Sequence, residues 1–190
     1  RARSNVTDEP KLLKDGSNIG RVLLHLYLEE RDKFSELEEI IRSLIPDVKE
    51  IIPKLRGNIV YIAVKDFKIN KIIEPQLISD GTVRIIAIVT SLVISQSLVA
   101  YEEPENCVHP KLLESIVDLM KKLGRQIIIT THSPYLLDFV APEDIILVRR
   151  INGETKLSRL IDRREIEAVK KLLEEGGTLG EAWYSGLMGE

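Results

Sequence analysis

The spacing of apolar positions changes along this chain, and each change predicts an element. From Asn18 to Glu30, Ile19, Val22, Leu23, Leu26 and Tyr27 recur at helical intervals behind Ser17 or Asn18 as a cap. Phe34, Leu37, Ile40, Ile41, Leu44 and Ile45 make a second helical stripe that Pro46 stops, and Val48 to Ile52 predicts a short amphipathic helical piece ending at Pro53. Between Asn58 and Ile69 the residues turn β-branched and aromatic, and Ile59, Val60, Tyr61, Ile62 and Val64 predict a strand. Beyond it, Val83 to Ser95 reads as a helix apolar on nearly all sides, Leu98 to Tyr101 as a short strand, Lys111 to Leu123 as an amphipathic helix and Gln126 to Thr130 as a buried strand. The last three form a β-α-β unit. Ile145 to Arg150 and Lys156 to Ile161 flank Asn152-Gly153, the dipeptide that type I′ turns prefer, which predicts an antiparallel hairpin. Arg163 to Glu175 predicts a charged helix stopped by Gly176 and Gly177. Residues up to Gly16 are polar and mixed in charge, an arm leading into structure, and no internal repeat or low-complexity run interrupts the order.

A chain of 190 residues is long enough for one well-filled domain and short for two. Its 27 basic against 30 acidic residues give a net charge of −3, so any nucleic-acid contact would need a local patch. The single cysteine, Cys107, excludes an internal disulfide and a multi-thiolate zinc site and fits a reducing compartment, with a cytoplasmic location as the default. Ile85 to Val99 is the nearest approach to a membrane span, but Thr90, Ser91, Ser95, Gln96 and Ser97 interrupt it and Arg84 flanks it; a buried helix running into a strand fits better. Asn5, Val6 and Thr7 match a glycosylation acceptor that a cytosolic protein would not use. The chain opens at Arg1 without a charged-then-apolar leader, which reads as a processed product or a fragment.

Polar chemistry gathers at three places. Between Leu98 and Asn106 a hydrophobic strand ends in Glu102 and Glu103, followed by Pro104. Carboxylates at the C-terminal edge of a strand meet ligands. In a phosphate-hydrolysing site the first would hold magnesium through water, and the second would polarise the attacking water. The alternative is a solvated acidic loop after a buried strand. Between Gln126 and Pro134 a second buried strand ends with His132 just past its edge, where a neutral imidazole can hydrogen-bond a terminal phosphate or simply be a satisfied loop residue. The two strand ends lie about 30 residues apart, the length of one β-α-β repeat, so Glu103 and His132 are expected at one edge of a parallel sheet. The third place, Leu77 to Arg84, is a glycine-containing polar turn that opens the apolar helix. Unpaired N–H groups and the helix dipole there favour an anion, while Ser79 or Thr82 can equally be only an N-cap. Elsewhere, His25 reads as a packed or partly exposed helix residue and Cys107 as a space-filler. Trp183 is an anchor for the tail or, with Tyr184, a mark of a partner site.

In this order and spacing, the three segments together resemble the C-terminal half of an ABC-type ATPase of the RecF and structural-maintenance-of-chromosomes (SMC) branch. The greatest likeness is to the prokaryotic predicted ATPases of that branch. Leu77 to Arg84 resembles the signature motif in its Ser-Asp-Gly form, Leu98 to Glu103 resembles Walker B with its catalytic glutamate, and Thr131-His132 resembles the switch histidine. The resemblance runs from Leu12 into the tail around Trp183. The fold it implies is α/β: the C-terminal portion of an ABC-type P-loop NTPase, with a parallel sheet flanked by helices and a C-terminal antiparallel hairpin. One partial ATPase domain would fill 1–190. It would hold an arm, helical segment and strand in 1–76, the signature, Walker B, D-loop and switch histidine in 77–150, and a hairpin strand, helix and tail in 151–190. The resemblance implies ATP and Mg2+ as cofactors, Glu103 as general base or water-positioning group and His132 as γ-phosphate sensor. It implies Ser79, Asp80 and Gly81 as contacts to a γ-phosphate held by an opposing subunit, and Glu105, Asn106 and His109 in a D-loop at the dimer interface. The magnesium position, usually aspartate in the family, is Glu102, whose extra methylene carries the carboxylate farther from the backbone.

A Walker A loop requires Gly-x-x-x-x-Gly-Lys followed by Ser or Thr, and none of the 11 glycines precedes a lysine; no Q-loop is evident either. The expectation is that an N-terminal lobe carrying both was removed, left out or supplied as another chain, and that this chain alone is inactive. Expected partners are a second ATPase subunit, most simply in a homodimer, with DNA or a nuclease or toxin as further partners and no membrane. The function implied is ATP binding and hydrolysis in DNA repair and maintenance or in phage defence. The rival reading is a non-catalytic interaction module that keeps the fold.

Overall fold

The computed structural model of the chain describes residues 11–95, 97–162 and 164–188. The arm before residue 11, with its acceptor at Asn5 to Thr7, lies outside the described residues, as do Gln96 and Arg163. Helix α1 (Ile19–Glu29) buries Ile19, Val22, Leu23 and Leu26, and α2 (Arg31–Leu44) buries Phe34, Leu37, Ile41 and Leu44, along the stripes their spacing predicts. Asn18 precedes α1 without capping it. Its amide instead ties down the preceding turn, donating to the Lys11 carbonyl at 2.7 Å and accepting from the Leu13 N–H at 2.9 Å.

These helices pack on an antiparallel sheet in the order β1-β2-β3, made of β1 (Val48–Arg56), β2 (Ile59–Asp66) and β3 (Ile72–Ile73). The helical piece expected over Val48 to Ile52 is corrected here: those residues open β1, with Ile51 opposite Val64 and Pro53 opposite Ile62. Val48, Ile51 and Ile52 fit either period over so short a run. Pro53 does not stop the strand because β1 is an edge, where a missing N–H is tolerated. Gly20 lets α1 approach β2, since a Cβ there would lie 2.8 Å from the Val60 carbonyl oxygen.

Helix α3 (Asp80–Ile94) buries Ile85, Ile86, Ile88, Val89, Leu92 and Val93. Thr90 is fully buried among them and returns its hydroxyl to the Ile86 carbonyl at 2.7 Å, which satisfies the polar group without help from water. Helix α4 (Pro110–Lys122) buries Leu113, Ile116, Val117 and Met120. The strands before and after α4, β4 (Leu98–Glu102) and β5 (Gln126–Thr130), pair in parallel with Val99 opposite Ile127 and Glu102 opposite Thr130. Successive side chains of a strand face opposite ways. Tyr101, Ile127 and Ile129 pack against the helical core, whereas Leu98, Ala100 and Ile128 lie on the other face and are exposed, Leu98 and Ile128 to 49% and 51%.

A second apolar cluster follows. Strands β6 (Ile146–Ile151) and β7 (Glu154–Arg159) form the hairpin, turning at Asn152 (φ +52°) and Gly153 (φ +84°), the two positive angles a type I′ turn demands. Ile145, Leu147 and Leu160 join Ile166 and Val169 of α6 (Ile166–Glu174), Leu179 and Ala182 of α7 (Leu179–Tyr184), and Met188. Gly176 (φ +89°) ends α6: its N–H bonds the Leu173 carbonyl while that of Gly177 bonds the Leu172 carbonyl, a Schellman closure. Between β5 and β6 an open cleft of about 800 Å³ is lined by Ile127, Ile129, Ile146, Val148 and Trp183. The architecture is α/β, a parallel pair flanked by helices with an antiparallel hairpin after it. Among the described residues no helix is long and apolar enough to cross a membrane.

Candidate functional site

Because β4 and β5 run parallel with Glu102 opposite Thr130, the residues just past each strand leave the sheet at one edge. The Glu103 N–H donates to the Thr130 carbonyl at 2.8 Å, carrying the ladder one residue further. Glu103 then takes a φ of +43°, which is uncommon for a residue with a side chain. Two more bonds hold it there. Arg84 Nη1 donates to its carbonyl at 2.7 Å, and Asn106 Nδ2 donates to its carboxylate Oε2 at 2.7 Å. Glu103 is half-buried and fixed; its neighbour Glu102 is exposed.

Helix α3 delivers the third segment. Ser79 is its N-cap, with Oγ accepting from the Thr82 N–H at 3.2 Å, so the capping role left open by the sequence is filled. Asp80 is the first helical residue. Gly81 sits against the loop after β4, where a Cβ would lie 2.3 Å from the Cys107 carbonyl oxygen. Further along the helix, Arg84 reaches Glu103 and the Ser91 hydroxyl lies 2.6 Å from that of Tyr101. Burial pushes the Tyr101 phenol up to about 12, against the lowering effect of its bond to Ser91. A neutral hydroxyl therefore ties β4 to α3 across the physiological range.

The loop after β4 also turns back on β5. Thr131 Oγ1 donates to Glu105 Oε1 and accepts from the Ser133 N–H at 2.9 Å, while Glu105 Oε2 is buried without a hydrogen-bond partner among the described residues. His132 stands exposed at the rim of the cleft beside β5. His109 Nδ1 accepts from the Lys111 N–H at 3.2 Å and so caps α4. Cys107 is exposed at φ +61°, which corrects its reading as a space-filler. His25 is partly exposed, with Nε2 3.5 Å from Glu30 Oε1.

Glu102, Glu103, Asp80, Arg84 and Asn106 share one open cleft of about 1160 Å³, and Glu102 and Glu103 face the second cleft together with His132. Among the described residues, no three or more His, Cys, Asp or Glu side chains gather into a metal cage. Magnesium does not require one, since it is held by one or two carboxylates, phosphate oxygens and its own waters. The exposed Glu102 carboxylate is a donor of that kind. Arg84 escaped the reading of the sequence as a support for Glu103, because 19 residues separate them and no local pattern links the two. The bond between Glu105 and Thr131 was equally invisible.

The family described as "AAA domain, putative AbiEii toxin, Type IV TA system" matches residues 13–138, more than half of the chain and all three segments. Among curated proteins, none matches the sequence. Among solved structures, an SMC ATPase chain from work on ATP-driven dimerization and DNA-stimulated activation is 17% identical with a TM-score of 0.57, over 80% of this chain and 95% of that one. An Smc head domain with an extended coiled coil, bound to the C-terminal domain of ScpA and derived from Pyrococcus furiosus, is 16% identical with a TM-score of 0.56, over 82% of this chain and 39% of that one. A third, an Smc head with a coiled coil and joint from Pyrococcus yayanosii, is 16% identical with a TM-score of 0.53, over 85% and 34%. At these identities the fold is what is shared, and this chain spans well under half of the two Pyrococcus chains. The fold is that of SMC ATPase heads, and the match over residues 13–138 places the chain in the AAA_21 family of AAA domains.

Proposed function

We propose that this chain forms one half of an ATP-hydrolysing site in an SMC-like ATPase and that the Walker A half comes from outside the described residues. One observation carries the reading: Glu103 and His132 leave the parallel pair at the same edge, and Arg84 ties the start of α3 to Glu103 at that place. In this reading Glu103 orients the attacking water and takes its proton. His132 contacts the γ-phosphate through its exposed imidazole. Ser79, Asp80 and Gly81 present the positive end of α3 to the γ-phosphate of an opposing subunit. Glu102 would hold magnesium through water, and the ion when bound would neutralise charge on the phosphate oxygens. Glu105, Asn106 and His109 lie on the loop that meets the second subunit, most simply in a homodimer. The uncovered apolar face of Leu98, Ala100 and Ile128, and the cleft between β5 and β6, support a further lobe seated there. DNA maintenance or phage defence in the cytoplasm is the setting we propose. It rests on the SMC ATPases described as activated by DNA and on the toxin named in the family description.

Phosphate release from ATP and magnesium tests this. In the full-length protein His132→Ala should lower turnover by about tenfold or more while nucleotide affinity changes little, and the isolated chain should release nothing above background. Turnover by the isolated chain, or parental turnover in His132→Ala, would contradict the assignment. A full-length protein that binds no ATP would favour the non-catalytic module.

A further inference from the structure

His132 is followed after one residue by α5 (Pro134–Leu137), a helix of four residues, too short to hold a position by its own hydrogen bonds. Its support comes from the far end of the sequence. The Gly180 N–H of α7 donates to Asp138 Oδ1 at 2.7 Å, and Asp138 is the C-cap of α5. The approach leaves no room for a side chain: a Cβ on Gly180 would lie 2.6 Å from the Pro134 carbonyl oxygen and 2.8 Å from Asp138 Oδ1. Helix α7 is itself well anchored. Thr178 and Glu181 form a reciprocal capping box at 3.1 and 3.0 Å, Leu179 and Ala182 are buried, and the Met188 carbonyl accepts from Arg149 Nη2 at 2.6 Å. At the other end of the turn, Thr131 is held by Glu105 and in turn holds the Ser133 N–H. The exposed His132 ring therefore takes its place from two flanks, one fixed by the loop after β4 and the other by α7.

We infer that α7 braces the histidine-bearing turn, with Asp138 and Gly180 as positioning residues for His132. The catalytic part of this inference rests on the ATPase reading above; the geometric part does not. Both can be read in the full-length protein. Nuclear magnetic resonance of ¹³C-labelled histidine follows the His132 ring, assigned by its disappearance in His132→Gln, and steady-state kinetics follow hydrolysis.

In Gly180→Ala the His132 ring signals should shift, and kcat should fall about tenfold or more with KM for ATP within about threefold. Asp138→Ala, which removes one bond and adds no bulk, should act in the same direction, and Asp138→Asn, which keeps an oxygen acceptor, should recover most of the loss. Val64→Ala hollows the other apolar cluster from β2, in which no residue of α5, α6 or α7 takes part. It should lower the melting temperature and leave both the His132 signals and kcat as they were. Unmoved His132 signals in Gly180→Ala and Asp138→Ala would overturn the inference, as would a kcat loss in Val64→Ala matching that of Gly180→Ala. A parent without hydrolysis, in which Gly180→Ala still moves the ring, would sink the ATPase reading and uphold the brace.

Discussion

Glu103→Gln in the full-length protein should leave ATP binding nearly intact and slow hydrolysis by about 10²–10⁴-fold, the range a positioned general base supplies. The structure makes this a clean experiment. Glutamine keeps an oxygen that can accept from Asn106 Nδ2, and the bonds from Arg84 and to Thr130 involve only the backbone of residue 103. What disappears is the capacity to take a proton. With ATP persisting, the nucleotide-bound dimer should accumulate, visible as a shift to larger mass in light scattering on addition of ATP and magnesium. Parental turnover by a folded Glu103→Gln protein would remove Glu103 from its assigned role.

Ser79→Arg should abolish both hydrolysis and ATP-driven dimerisation while monomeric nucleotide binding survives. A long cation would stand where α3 presents its first amides. Loss of the cap to Thr82 costs about 1 kcal/mol as well, so a second variant is needed. Ser79→Asp keeps a capping oxygen and places a negative charge before the phosphate; it should fold like the parent and fail in the same way. Mixing resolves the geometry. A Ser79→Arg subunit with an intact Walker A loop, paired with a signature-intact subunit lacking the Walker A lysine, should regain measurable activity from one composite site. Folded heterodimers without recovery would count heavily against action in trans.

The parts of the fold that could be read in advance were those with a long or unambiguous period. Helix α4 falls at Pro110–Lys122 where its stripe predicts Lys111 to Leu123, and Asn152-Gly153 turns the hairpin because few other dipeptides accept two positive φ angles. Strand β5 lies where expected but is not the buried strand its apolar run suggests, with Ile128 exposed. Val48 to Ile52 failed because five residues cannot separate a period of 2 from one of 3.6, and because an edge position, which excuses Pro53, is a property of the sheet and not of the segment. The same limit applied at the candidate site. The strand ends bearing Glu103 and His132 could be located from spacing alone. Most of the groups that fix them could not: Arg84, Thr131 and Gly180 act through contacts with segments far apart in sequence, set by the packing of α3, the loop after β4 and α7.

Glu103 carries its carboxylate on a backbone angle that glycine occupies at ease and glutamate does not. Holding a side chain in that region costs about 1 kcal/mol or more, offset here by the bonds to Thr130, Arg84 and Asn106. Glycine at this position would relieve the strain and remove both the carboxylate and its bond from Asn106, so a single substitution would trade backbone comfort against the group proposed to position the water.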